Sequence, residues 1–468
     1  MRLLFVSLTF LYAALPVSAQ EKPLPGPPAA SPSTALAPLT VDEATRIAVQ
    51  NNPRVIAGTR EVGSATSGVR SARALTNPNA FFAPGVTSVS GTGEEFLIQQ
   101  PLEINGTRKA RAGIAEAQLR AAKAQTLVTL RDVVFTTKSV YYELARAREQ
   151  ASVAREAQGV AQEFDRLARR QVEEGVRPGI DLAQTGLEVS RAQRQVTLAE
   201  GQETVALAAF NTALGRDPST PVGLLTPLLP LPPESAKTPD IGSTTTPPAS
   251  SLTSTPSPQN PPVAGAVDSS TKTLLSQSLT ARAEIQEAQA TGEQFRQEAR
   301  LARAEGRPDL VPQFRIGYFT RGLQSASEGN GAGIGIALTL PLLDHGSRRN
   351  RIQQAEQAAS AQDARVLAVQ NEVRQQVAGA LARQRAAEEV VRSYPGGALD
   401  QARRLLEGSR IGFREGRTSI VALLEAQRSF RAVQNEYINA LADAAIARAE
   451  VERATGSFST TPPQIGRA

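Results

Sequence analysis

The chain has no cysteine, no tryptophan, one histidine and one methionine in 468 residues. Without cysteine there is no disulfide, no thiolate metal site and no lipidated N-terminal cysteine to hold the protein to a membrane. One histidine and one methionine leave no soft-metal cluster. A lone His345 in a turn is read as structural rather than as a ligand. There is no second histidine, no nucleophile elbow and no phosphate-binding glycine loop before a helix, and the carboxylates fall on helix surfaces beside arginines. The expectation is therefore no enzyme, no cofactor and no resident metal. Aromatics make up 4% of the chain, which favours extended helical packing over a thick globular core.

Long apolar runs are equally scarce. Arg2, the run Leu3 to Leu15 and the small residues Val17-Ser18-Ala19 read as an export signal over 1–19, with Gln20 opening the mature chain. A membrane-anchoring helix is the alternative, but the run is short and Pro16 ends it. No later segment approaches the ~20 apolar residues of a spanning helix, so a membrane role has to be a β-barrel. The formal charge of +6 comes from 51 basic and 45 acidic residues. That is a mixed surface with Glu interspersed among Arg, and no nucleic-acid partner is expected.

What the chain does have is a duplication. Phe96 to Arg111 runs from an alternating segment through Pro101 and Gly106 into a basic helix, and Ala337 to Arg351 repeats it through Pro341 and Gly346. Pro101 and Pro341, Gly106 and Gly346, and Arg108 and Arg348 are each 240 residues apart. Matched residues at one offset mark an internal repeat.

Residues 20–38 form a proline-rich leader. The first repeat, 39–216, opens with a capping box, Thr40 to Glu43, in a helix expected to reach about Leu75 with a kink at Pro53. Two strands follow, Phe81 to Ser90 and Glu94 to Pro101, with a turn at Gly91-Thr92-Gly93. A helix from Gly106 to Glu174 carries the heptad seam Val133, Thr137, Val140, Leu144, Ala147, Ala151 and Ala154. It would reach roughly 100 Å at 1.5 Å per residue. Gly175 and Pro178 reverse it into a second helix ending near Leu214. Residues 217–268 hold 13 of the 31 prolines and are read as a passive linker.

The second repeat, 269–456, has a helix from about Ser269 to Glu305, a strand from Leu310 to Gly322, a loop from Ser325 to Gly331 and a strand from Gly333 to Leu340. In that last strand Ile334, Ile336, Leu338 and Leu340 alternate with small residues. A helix from Ile352 to Ser393, an interruption at Tyr394-Pro395-Gly396-Gly397 and a reversal at Gly416 follow, then a short tail, 457–468. Four strands among so much helix cannot close a barrel alone, and their open edges call for oligomerisation.

The order of these pieces, Leu39 to Ala44 with Asn52-Pro53, two Pro-to-Gly junctions and two Glu-Gly reversals, resembles the TolC family of outer-membrane efflux proteins. The segment Leu102 to Arg111 is similar to the junction of its heavy-metal, CzcC-like branch. The resemblance implies a mainly α protein with a small β part: a long α-helical barrel in the periplasm, plus four strands per protomer contributing to a 12-stranded trimeric outer-membrane β-barrel. It implies a homotrimer in outer-membrane lipid, a periplasmic adaptor (membrane fusion protein) docking at the reversals, and an inner-membrane efflux pump supplying energy to a passive duct. It places entrance and gate residues at Asp181, Arg417, Thr418 and Glu425, with Ala422 departing from the acidic residue usual there. Capping or solvated roles remain open for Asp181 and Glu425. A type I protein secretion duct, or a non-pore periplasmic coiled-coil scaffold, are the alternatives. The alternating strand Gly333 to Leu340 counts against the scaffold.

Overall fold

The computed structural model describes residues 38–83, 91–176, 178–228, 269–321, 328–339 and 345–457. The proposed signal, the leader up to 37, Arg177, linker residues 229–268, Pro341 and the tail from 458 lie outside them.

Helix α1 (Val41–Asn51) begins at the expected capping box: the Thr40 hydroxyl accepts from the Glu43 amide at 3.2 Å, and the Glu43 carboxylate accepts from the Thr40 amide at 2.9 Å. The single kinked helix expected here is two helices. Proline disfavours helical backbone in the residue before it, and Asn52 is extended with ψ 122. Its amide closes α1 on Ala48 and its side chain accepts from the Arg54 amide, so α2 (Pro53–Arg73) starts afresh with Pro53 at its first position. The second repeat breaks in the same way without a proline. Arg282, also extended, divides α5 (Ser269–Ala281) from α6 (Ala283–Ala304), where one helix was expected. Tertiary contacts hold this break. The buried guanidinium donates to the Ala454 carbonyl at 2.7 Å, to Arg453 at 3.3 Å and to the Gln376 side chain at 2.7 Å, and pairs with Glu284 at 3.0 Å.

The axis of the molecule is α3 (Thr107–Glu173), 67 residues long. Six members of its expected seam are buried and Val140 is half-buried. Alanine at these positions lets helices approach closely, and α2 and α6 lie along part of α3 while α4 (Gly179–Ala213) and α9 (Ile420–Thr455) lie along part of it. Helix α7 (Ser347–Ser393) packs likewise on α6 and α9. Pro395 at ψ 132 and Gly396 at φ 74 then interrupt the path before α8 (Leu399–Arg414).

Apolar side chains concentrate in separate clusters along this length. Leu39, Val41, Tyr141, Leu144, Phe210 and Leu214 form one; Phe164, Phe413, Ile420 and Leu423 form another near the reversals. The first reaches beyond the repeat. Val222 is buried in it, Leu224 pairs with Leu39 as a parallel bridge, and the Tyr141 hydroxyl donates to the Leu39 carbonyl at 3.0 Å while accepting from the Thr226 amide at 2.9 Å. Residues 217–228, read from composition as the start of the linker, are thus docked on the body.

Strands β1 (Asn79–Ala83), β2 (Gly91–Gln99), β3 (Asp309–Arg321) and β4 (Glu328–Thr339) form one antiparallel sheet in chain order. The expected turn at Gly91-Thr92-Gly93 and the end of the loop expected over Ser325 to Gly331 are strand: pairing with β3 extends both elements beyond what alternation alone shows. The β2–β3 pairing joins the two repeats.

Candidate functional site

Register gives the sheet two unlike faces, because directly paired residues point the same way and their neighbours point the other. Phe82 pairs with Phe96 and Phe96 with Ile316; Ile98 pairs with Phe314 and Phe314 with Ile334; Pro312 pairs with Ile336 and Leu310 with Leu338. These share one face. The other carries Gln99, Gln313, Arg315, Gly333, Gly335 and Thr339, with Phe81, Leu97 and Val311 as apolar members. The apolar face is bare: Phe82 is 66% exposed, Ile334 88% and Ile336 71%. Among the described residues β1 and β4 each have one unpaired edge, and no helix is long and apolar enough to cross a membrane.

Beneath the sheet the two junctions match. Gly106 at φ 92 and Gly346 at φ 81 are the left-handed N-caps of α3 and α7. Glu103 is clamped by Arg111 at 2.6 and 3.0 Å. His345 sits exposed in the turn at φ 46. Among the described residues no group of three or more potential ligands could hold a metal ion.

At the far end both reversals use the same device. The Val176 amide bonds the Gln171 carbonyl and the Gly175 amide that of Val172; the Arg417 amide bonds Gly412 and the Gly416 amide Phe413. Each is a helix stop whose glycine takes positive φ, 74 at Gly175 and 75 at Gly416. Pro178 is then the N-cap of α4, and Ser419 caps α9 by accepting from the Ala422 amide at 3.2 Å.

The four entrance candidates do not form one cluster in the protomer. Asp181 is buried in the first turn of α4. The Glu425 side chain is 68% exposed on α9, with Arg428 at 3.6 Å. Arg417 pairs with Glu415. Thr418 folds back, its amide on the Gly412 carbonyl at 3.0 Å and its side chain against the Cα of Gly412.

Sequence reasoning missed Glu188, whose signal lies on another helix. This buried carboxylate of α4 meets Arg428 of α9 at 2.7 Å, Arg191 at 3.6 Å and Arg431 at 4.0 Å. Burial pushes its pKa up, but the Arg428 hydrogen bond and the three guanidinium charges outweigh that and hold it below the usual glutamate value. A second network joins α3, α6 and α9 through Arg131, Glu284, Asp132 and Arg453, with Lys138 paired to Glu452 beside it.

A duplicated stack of long helices ending in an open, two-faced antiparallel sheet is the protomer architecture of an outer-membrane channel. The chain belongs to the outer membrane efflux protein family, which it matches over residues 45–216 and 274–457. It shares its fold with solved structures of that kind. The outer-membrane channel OprN is 16% identical with a TM-score of 0.68, covering 89% of this chain and 90% of its own. The outer membrane protein VceC of Vibrio cholerae is 18% identical with a TM-score of 0.67, covering 89% and 96%. The MtrE outer membrane channel of Neisseria gonorrhoeae, in its open state, is 17% identical with a TM-score of 0.66, covering 89% and 88%. No curated relative matches the sequence.

Proposed function

We propose that three copies join the β1 edge of one to the β4 edge of the next, closing a 12-stranded barrel in the outer membrane above a helical tube in the periplasm. The observation that carries this is the register: it sets a mostly apolar, exposed face against one richer in polar residues and glycine, with both edges open. A barrel needs the first face toward lipid, the second toward a lumen, and no free edge.

The assembly is a passive duct for small molecules or metal cations, the cargo passing without resident ligands. An inner-membrane pump supplies the energy, and a periplasmic adaptor docks at the tips near Gly175, Pro178 and Gly416. Within the entrance we assign the pore-facing carboxylate to Glu425, which is exposed one turn after Ala422. Asp181 is buried in the first turn of its helix, which favours a capping role.

The test is single-channel conductance of the detergent-extracted protein in a planar bilayer, with its mass in detergent. Trimers with stable, cation-preferring pores support the duct. A soluble, non-conducting monomer overturns it.

A further inference from the structure

The level at which helices meet sheet carries more positive charge than the fold uses. Four helix ends converge there: the Arg111 guanidinium reaches the Ala72 and Ala74 carbonyls at the end of α2, and Arg351 of α7 pairs with Glu305 at the end of α6 at 2.8 Å. Some cations have local partners, Arg73 with Glu116, Arg111 with Glu103 and Arg303 with Glu356. Arg70, Arg108, Lys109, Arg307 and Arg349 are exposed, and among the described residues none makes a salt bridge, although Arg108 lies near enough to Glu103 to help hold its carboxyl below the usual value. Both repeats contribute, and Lys109 and Arg349 stand at matching positions 240 residues apart.

Helix stability accounts for Arg70, which sits in the last turn of α2 where a cation suits the helix dipole, but not for Arg108, Lys109 and Arg349. The first turns of α3 and α7 contain no acidic residue, and cations there oppose the helix dipole. The collar instead adjoins the apolar face: the Leu102 amide bonds the Leu310 carbonyl at 3.1 Å, continuing the β2–β3 register, so exposed Leu102 closes that face at its helix end. A greasy band ending in unpaired cations is complementary to acyl chains ending in phosphate.

We propose that this collar binds the headgroups of anionic phospholipid in the periplasmic leaflet of the outer membrane, an inference that rests on the membrane placement proposed above. The cations then set the depth of the barrel and prefer phosphatidylglycerol over zwitterionic lipid. One such cation beside an anionic lipid surface shifts partition by roughly fivefold.

The chain has no tryptophan, so a single introduced indole reports local lipid. The full-length protein carrying Leu102→Trp, or independently Ile104→Trp, is reconstituted in phosphatidylcholine vesicles containing brominated phosphatidylcholine or brominated phosphatidylglycerol. Phe82→Trp, on the apolar face, is the membrane control. Phe82→Trp is expected to be quenched about equally by both lipids. The junction reporters are expected to favour brominated phosphatidylglycerol by at least about fivefold, the effect of a single cation, a preference lost in Arg108→Gln/Lys109→Gln/Arg349→Gln and weakened by salt. Equal quenching at the junction, with Phe82→Trp quenched, overturns the collar alone. So does a preference that survives the triple substitution. Phe82→Trp untouched by either lipid overturns the membrane placement.

Discussion

The carboxylate of Glu188 on α4 lies 2.7 Å from the guanidinium of Arg428 on α9, fastening together two helices that both flank α3. Breaking a fully buried pair costs about 3–5 kcal/mol, but only Glu188 is buried here and the Arg428 side chain is 38% exposed, so solvent screens part of that cost. Arg428→Ala also leaves Glu188 with the more distant Arg191 and Arg431, so a cost below that range is expected. A thermal melt followed by circular dichroism, with Arg417→Ala as the exposed comparison, should show a clear loss for the first and almost none for the second.

The same carboxylate fixes an acid limb. Its folded pKa lies below the ordinary value of 4.5, so the unfolded chain binds the proton first as pH falls. The stability it contributes is fully present above the unfolded value and is lost as pH drops through the folded one. The difference in melting temperature between the parent and Glu188→Gln should therefore be constant from neutral pH to about 5 and shrink below it. A difference that grew on acidification would contradict the assignment.

At the second reversal, backbone strain and collision can be separated. A Cβ on Gly416 meets nothing within 4 Å, so Gly416→Ala costs only the left-handed conformation, about 1–2 kcal/mol. Gly412 has helical backbone, but its Cβ would strike the Thr418 hydroxyl. Gly412→Ala should be destabilising and Thr418→Ala should relieve most of that, whereas Thr418→Ala should not rescue Gly416→Ala. A double-mutant cycle in thermal melts reads the coupling.

What could be read in the sequence depended on whether the cause was local. Thr40 and Glu43, the Gly175 and Gly416 stops and the alternation of Ile334 and Ile336 each act within a few residues, and the sequence shows them directly. The α5–α6 break does not, because Arg282 is held extended by carbonyls of Arg453 and Ala454, some 170 residues away. The docking of 217–228 was hidden for the same reason: Tyr141 supplies it, and composition alone reads proline as linker. Glu188 looks like any helical glutamate until α9 brings arginines to it.

Tyr141 gives that docking a direct test. Its hydroxyl serves the Leu39 carbonyl and the Thr226 amide together; Tyr141→Phe takes the Thr226 amide's partner away, while the Leu39 carbonyl keeps the Leu225 amide at 3.0 Å. A cost of about 1–3 kcal/mol is expected, with faster proteolysis near Thr226 in a timed digest analysed by mass spectrometry. Unchanged cleavage would mean that the Leu39–Leu224 bridge holds the segment without the hydroxyl.

The sheet offers the sharpest contrast between neighbouring positions. Ile334 and Gly335 are adjacent in β4 but point to opposite faces, and Ile334 is 88% exposed among Phe314, Ile336 and the other apolar members of its face. If that face meets lipid, Ile334→Arg costs about 2–4 kcal/mol near the bilayer midplane, while Gly335→Ser faces the lumen and should be tolerated. In a soluble sheet the order changes: an exposed isoleucine replaced by arginine costs little, and neither variant alters fractionation. Measuring each variant's yield in isolated outer membranes separates the cases, because a charge on the lipid face blocks insertion whereas a hydroxyl on the lumen face leaves the barrel closed.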